Sequence, residues 1–86
     1  MKVKIYTTTS CPFCIGAKQW FNDNNISFDE IKLDNYQERV NFYDEMNKSG
    51  KVRKQIRTVP QIFINDEHIG GFDDLRANAD SILKKK

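Results

Sequence analysis

Val3 and Ile5 alternate with Lys2 and Lys4, the period-two pattern of a half-buried strand, which predicts a first strand over about residues 2–6. The run Thr7-Thr8-Thr9-Ser10 leaves that strand as a polar loop. Pro12 then fits the first turn of a helix, where its missing N–H costs nothing. Cys14, Ala17 and Phe21 recur at spacings of three and four, with Phe13 and Trp20 alongside, and define the buried stripe of this helix. Asp23-Asn24-Asn25 ends it.

Ile31 and Leu33, after Phe28, suggest a second strand, and Asn35 suits the N-cap of a second helix on which Tyr36, Val40 and Tyr43 share a face. Ser49-Gly50 supplies its stop, and a basic loop over 51–57 follows. Gln61-Ile62-Phe63-Ile64 reads as a third strand, Asn65-Asp66 as a tight turn and His68-Ile69 as a short fourth strand, together a hairpin. Gly70-Gly71 breaks the pattern, and Asp73-Asp74 opens a third helix that buries Leu75, Ala79 and either Ile82 or Leu83. The order β-α-β-α-β-β-α predicts an α/β fold: one four-stranded mixed sheet flanked by three helices, its first two strands parallel through a helical crossover. Trp20, Phe21, Tyr36, Tyr43 and Phe63 fall on inward faces and read as core.

A chain of 86 residues has room for one hydrophobic core, so residues 1–86 are expected to form a single domain, with no repeat or linker to divide them. With 38% hydrophobic and 30% charged residues the balance is that of a soluble globular protein. No segment approaches the roughly 20 apolar residues that span a bilayer, and the apolar stretch near the N-terminus is far shorter than that of a signal peptide. A formal charge of +2 is too small for a nucleic-acid binder, although Lys51, Arg53, Lys54 and Arg57 form one basic cluster and Lys84 to Lys86 another. The expectation is a cytoplasmic monomer without nucleic-acid or membrane partners.

The chemistry concentrates in Cys11-Pro12-Phe13-Cys14, which holds both cysteines of the chain. Two residues between thiols allow a small disulfide, and a Cys at a helix N-terminus has its thiolate stabilised by free N–H groups and by the helix dipole. Pro12 gives no N–H, so the amides of Phe13 and Cys14 are the useful donors. Cys14 shares the buried stripe with Ala17, which makes Cys11 the exposed attacking thiol and Cys14 the buried resolving one. Half of a zinc site is the competing reading. It needs four ligands, and the only other soft candidate is His68 on the hairpin, so no metal is expected. His68 is a conceivable proton shuttle, but its hairpin reads as remote from Cys11.

Three motifs in order, Cys11-Pro12-Phe13-Cys14, Thr58-Val59-Pro60 and Gly70-Gly71-Phe72-Asp73-Asp74, resemble the glutaredoxin family, as does Ala17-Lys18 after the thiols, and the resemblance covers the whole chain. It implies a thioredoxin-like fold, with Pro60 in a cis peptide bond facing the thiols and the backbone of Val59 pairing with an extended peptide such as glutathione. It implies further that Gly71 and Phe72 border the γ-glutamyl end, that the amides of Asp73 and Asp74 hold its α-carboxylate and that Asp74 binds its α-amino group. Arg57, beside Thr58, is the first candidate for the glycine-end carboxylate, and Lys54 the second. Pro60 as a plain strand start and Asp73-Asp74 as a plain helix cap remain the simpler alternatives. The chain departs from the family at Thr8, where a cation is common, and at Phe13, where Tyr is usual; Phe13 contacts the ligand or is merely an exposed aromatic.

By this resemblance the protein is a glutathione-dependent thiol–disulfide oxidoreductase. It acts on protein disulfides and glutathione mixed disulfides, and ribonucleotide reductase is a client type by family likeness alone. Two alternatives stay open: a redoxin reduced by thioredoxin reductase, and an iron–sulfur cluster carrier in which two subunits each supply Cys11.

Overall fold

The computed structural model describes residues 1–85, so the end of the C-terminal lysine cluster, Lys86, lies outside the described residues. Strand β1 (Val3–Thr7) leads into helix α1 (Pro12–Asp23), β2 (Asp29–Lys32), α2 (Tyr36–Ser49), β3 (Gln61–Ile64), β4 (Glu67–Gly70), α3 (Phe72–Ala77) and α4 (Ala79–Lys84). The strands form one mixed sheet in the order β2-β1-β3-β4. Strand β1 runs parallel to β2 and antiparallel to β3, with Ile5 opposite Ile62, and β3 pairs antiparallel with β4.

Alternation along the strands builds two apolar layers. Val3, Ile5, Ile62 and Ile64 join Ala17, Phe21, Leu75 and Ile82 in one layer, with Trp20 packed against it. Phe63, one residue out of phase, joins Leu33, Phe42 and Ile56 on the other side, where Tyr6 and Tyr43 pack. Strand β3 is therefore buried along its whole length, as a strand covered on both faces must be. The β3–β4 turn has Asn65 and Asp66 at φ 51° and 67°, the pair of left-handed residues that a two-residue hairpin requires.

Three expectations need correction. Tyr36 is 71% exposed and holds the Arg39 guanidinium over its ring instead of entering the core. The sheet-facing anchor of α2 is Phe42, whose ring stacks on Tyr6 with centroids 4.1 Å apart, because the face that meets the sheet is centred six positions further along. Phe13 is 62% exposed and lies off the stripe formed by Cys14, Ala17 and Phe21. The third helix is two: Asn78, at φ −104° and ψ 10°, ends α3 and starts α4, and its side-chain amide donates to the Asp74 carbonyl at 2.7 Å. Of Ile82 and Leu83, Ile82 takes the buried position.

Candidate active site

The loop between β1 and α1 is held before the thiols begin. The N–H and hydroxyl of Thr9 donate to Asp34 at 2.7 and 2.6 Å, and these bonds keep the Asp34 carboxyl below its usual pKa. Beneath the loop, the buried Thr7 hydroxyl and Lys18 both donate to Glu30 Oε2, at 2.7 and 2.8 Å. Pinned from two sides, the loop delivers Cys11 to the N-cap of α1, where its Sγ accepts the Cys14 N–H at 3.1 Å. Cys11 and Cys14 are joined as a disulfide, with Cα atoms 5.2 Å apart.

Cys11 is more accessible than Cys14, but at 7% against 1% it is not the exposed thiol that the sequence suggested. Its Sγ sits 3.6 Å from the carbonyl oxygen of Val59, in the segment that leads into β3. The Val59–Pro60 bond is cis. Both residues line a groove of about 360 Å³, within the rough range of 300–1,000 Å³ of small-ligand clefts. Arg57 and Thr58 continue this wall, with Lys54 and Gln55 further along the basic loop. Gly71, Phe72, Asp73 and Asp74 border the groove as well, and so does the exposed ring of Phe13. The groove thus has cations from the 51–57 loop and carboxylates from the start of α3. Arg57 also borders a second hollow, lined in part by Thr8, Asp34 and Arg39.

Of the glycine pair, Gly70 is the position that demands glycine. Its φ is +120°, and a Cβ there would run into the Asp74 carboxylate. Gly71 has an ordinary extended backbone with room for a Cβ, 3.6 Å from the Pro60 carbonyl oxygen. Asp74 Oδ2 accepts the Gly71 N–H at 3.1 Å and so closes the first turn of α3.

Several residues that shape the groove escaped the sequence reading. The side chain of Asn47 bonds both the N–H and the C=O of Ile56, at 2.8 and 3.1 Å, which fastens the basic loop to α2. His68 is 2% exposed and lines the groove, and Gln61 lies beside it. A polar Gln at the head of an all-buried strand was the available signal, because a buried amide must find partners. Burial lowers the His68 pKa; Asp74 opposes the shift, and Arg53 and Lys54 reinforce it. Among the described residues, no three His, Cys, Asp or Glu side chains gather as a metal site would require.

A disulfide-forming thiol pair at the head of α1, directly beside the cis Val59–Pro60 segment, on a mixed four-stranded sheet, defines a dithiol protein of thioredoxin-like fold. The chain belongs to the glutaredoxin family: the Glutaredoxin family model matches residues 3–69. The structure of glutaredoxin 1 from Francisella tularensis, solved with cacodylate, superposes with a TM-score of 0.95 at 66% identity over 96% of each chain. Glutaredoxin 3 of Escherichia coli K12 is 38% identical over 95% of this chain and 96% of its own. Glutaredoxin 1 of Rickettsia conorii is 39% identical over 83% of this chain, and the match spans 65% of that relative's length. A buckwheat glutaredoxin solved as a glutathione complex superposes with a TM-score of 0.80 at 25% identity, over 96% of this chain and 73% of that one.

Proposed function

We propose that this protein is a thiol–disulfide oxidoreductase that uses glutathione as its reductant. The observation that carries the reading is the charge content of the groove: it passes Val59, whose carbonyl lies beside Cys11, and it is lined by the cations Lys54 and Arg57 and by the carboxylates Asp73 and Asp74. Glutathione has a carboxylate at its glycine end, a thiol in the middle and an ammonium and carboxylate at its γ-glutamyl end. Arg57, with Lys54, pairs with the glycine carboxylate. The N–H and C=O of Val59 pair with the cysteinyl backbone as an added strand would. Asp74 takes the ammonium, while the Asp73 and Asp74 amides face the α-carboxylate.

In the reduced protein the Cys11 thiolate, stabilised by the Cys14 amide, attacks the glutathione sulfur of a mixed disulfide. The old S–S bond breaks, the client leaves as a thiol and Cys11 is glutathionylated. A second glutathione attacks that bond, giving glutathione disulfide and free Cys11. With a protein disulfide, Cys14 instead attacks the Cys11–client bond, and two glutathiones reduce the resulting Cys11–Cys14 disulfide. Cys11 and Cys14 as nucleophile and resolving thiol, the assigned ligand contacts and an intracellular setting all belong to this proposal.

The test is a choice of electron donors. The reading expects steady turnover of a glutathione mixed disulfide with glutathione, glutathione reductase and NADPH. Failure there, with turnover supported by thioredoxin reductase, would make this a redoxin of the other class and remove the glutathione assignments.

A further inference from the structure

His68 is buried between the basic loop and the groove, and its hydrogen bonds leave one arrangement of protons. The backbone N–H of Arg53 donates to His68 Nδ1 at 2.9 Å; an amide N–H can only donate, so Nδ1 carries no proton. The proton of the neutral ring is then on Nε2, 2.8 Å from Gln61 Oε1, which accepts it. With its oxygen so used, Gln61 donates through Nε2 to the carbonyl of Thr58 at 2.9 Å. The relay runs from Arg53 at the head of the basic loop, through two side chains on neighbouring strands, to the residue before Val59. It spans the stretch that contains Lys54 and Arg57.

We propose that His68 is a positioning residue: as the Nε2–H tautomer it ties the Arg53 amide to the Thr58 carbonyl, so that the cationic loop and the Val59 edge form one fixed groove wall. Protonation of its ring releases that wall. The functional consequence rests on the glutathione reading above; the relay itself does not. A protonated ring has a donor at Nδ1 pointing at a donor, so the Arg53 bond must break. The charged groups facing the ring are Arg53 and Lys54 from the loop and Asp74 from α3, and Phe63 of β3 packs on its face, ring centroids 5.0 Å apart. Burial and the two cations favour the neutral ring at neutral pH, against the pull of Asp74.

The experiment has two readouts. In ligand-free wild-type protein, ¹⁵N NMR should show Nδ1 as the unprotonated nitrogen of His68. On acidification, the amide signals of Arg53 and of Val59, across the peptide bond from the Thr58 carbonyl, should move with the ring in one titration. In the donor assay, KM for a glutathione mixed disulfide should rise by on the order of tenfold through that same transition, the scale of one lost buried hydrogen bond. The His68→Asn variant keeps an acceptor for Arg53 and does not titrate, so its KM should lack that step, whereas the thiolate-linked dependence of kcat should persist in both proteins. A ring whose titration leaves the Arg53 and Val59 amides unmoved, or equal KM profiles in the two proteins, overturns the proposal. Coupled titration without glutathione turnover at any pH sustains the relay and refutes the glutathione reading.

Discussion

The ring of Phe72 occupies space that Gly16 leaves open: a Cβ on Gly16 would come within 2.8 Å of Phe72 Cε2. Glycine inside a helix ordinarily costs roughly 0.5–1 kcal/mol relative to alanine, so Gly16→Ala should stabilise an unconstrained α1 by that much. Here the methyl must push Phe72, which lines the groove and carries the Arg76 guanidinium 5.6 Å from its ring centroid. The expected outcome is no gain in Tm and a raised KM for the glutathione mixed disulfide. In a Phe72→Leu background the same change should recover the usual gain. A double-mutant cycle by thermal denaturation checks this, and strict additivity would count against the contact.

Gly70 and Gly71 should respond differently to alanine. At φ +120° a Cβ strains the Gly70 backbone and displaces Asp74, so Gly70→Ala should cost about 2 kcal/mol or more and lower Tm by roughly 10 °C for a domain of this size. Gly71→Ala meets only ordinary contact and should cost well under half as much. Denaturant melts of the two variants side by side test the contrast.

Glu30 joins β2 to α1 and to the end of β1. Its bonds from Lys18 and Thr7 lower its pKa, so the folded state binds the Glu30 proton less well than the unfolded chain does. The stability it contributes is therefore fully present above its ordinary pKa of 4.5 and is lost as pH falls from there through the lowered folded value. Glu30→Gln should cost about 1–2 kcal/mol at pH 7, allowing for the partial exposure of the pair. The gap between variant and wild type should close on acidification, which urea melts at pH 7 and pH 3 would show.

Much of this architecture was legible in the sequence because period two and period three-to-four mark strands and helices directly. Val3 and Ile5 announced β1, Asn65-Asp66 the hairpin and Asn35 the start of α2, where its side chain accepts the Glu38 N–H at 3.0 Å. What failed to read were choices made by tertiary contact. Tyr36 and Phe42 both suit a helix face, and the ring of Tyr6 on the neighbouring sheet decides between them. Asn78 falls inside the stretch read as one third helix, and its side-chain bond back to the Asp74 carbonyl marks where that helix divides. In the site, the three motifs marked Cys11, Val59-Pro60 and Asp73-Asp74 at once. The residues that hold the groove walls in place, Asn47, Gln61 and His68, act largely through partners between 7 and 15 positions away, Ile56, Arg53 and each other, and apart from the polar Gln61 in an apolar strand, local pattern does not point to those partners.

The measurement that bears most directly on the account is single-nucleophile turnover: the glutathione-coupled reduction of a glutathione mixed disulfide by wild type, Cys14→Ser and Cys11→Ser. The account predicts that turnover persists in Cys14→Ser, because a second glutathione resolves the Cys11 mixed disulfide, and that it vanishes in Cys11→Ser. Loss of turnover in Cys14→Ser, or its survival in Cys11→Ser, would contradict the assignment of Cys11 as the attacking thiol.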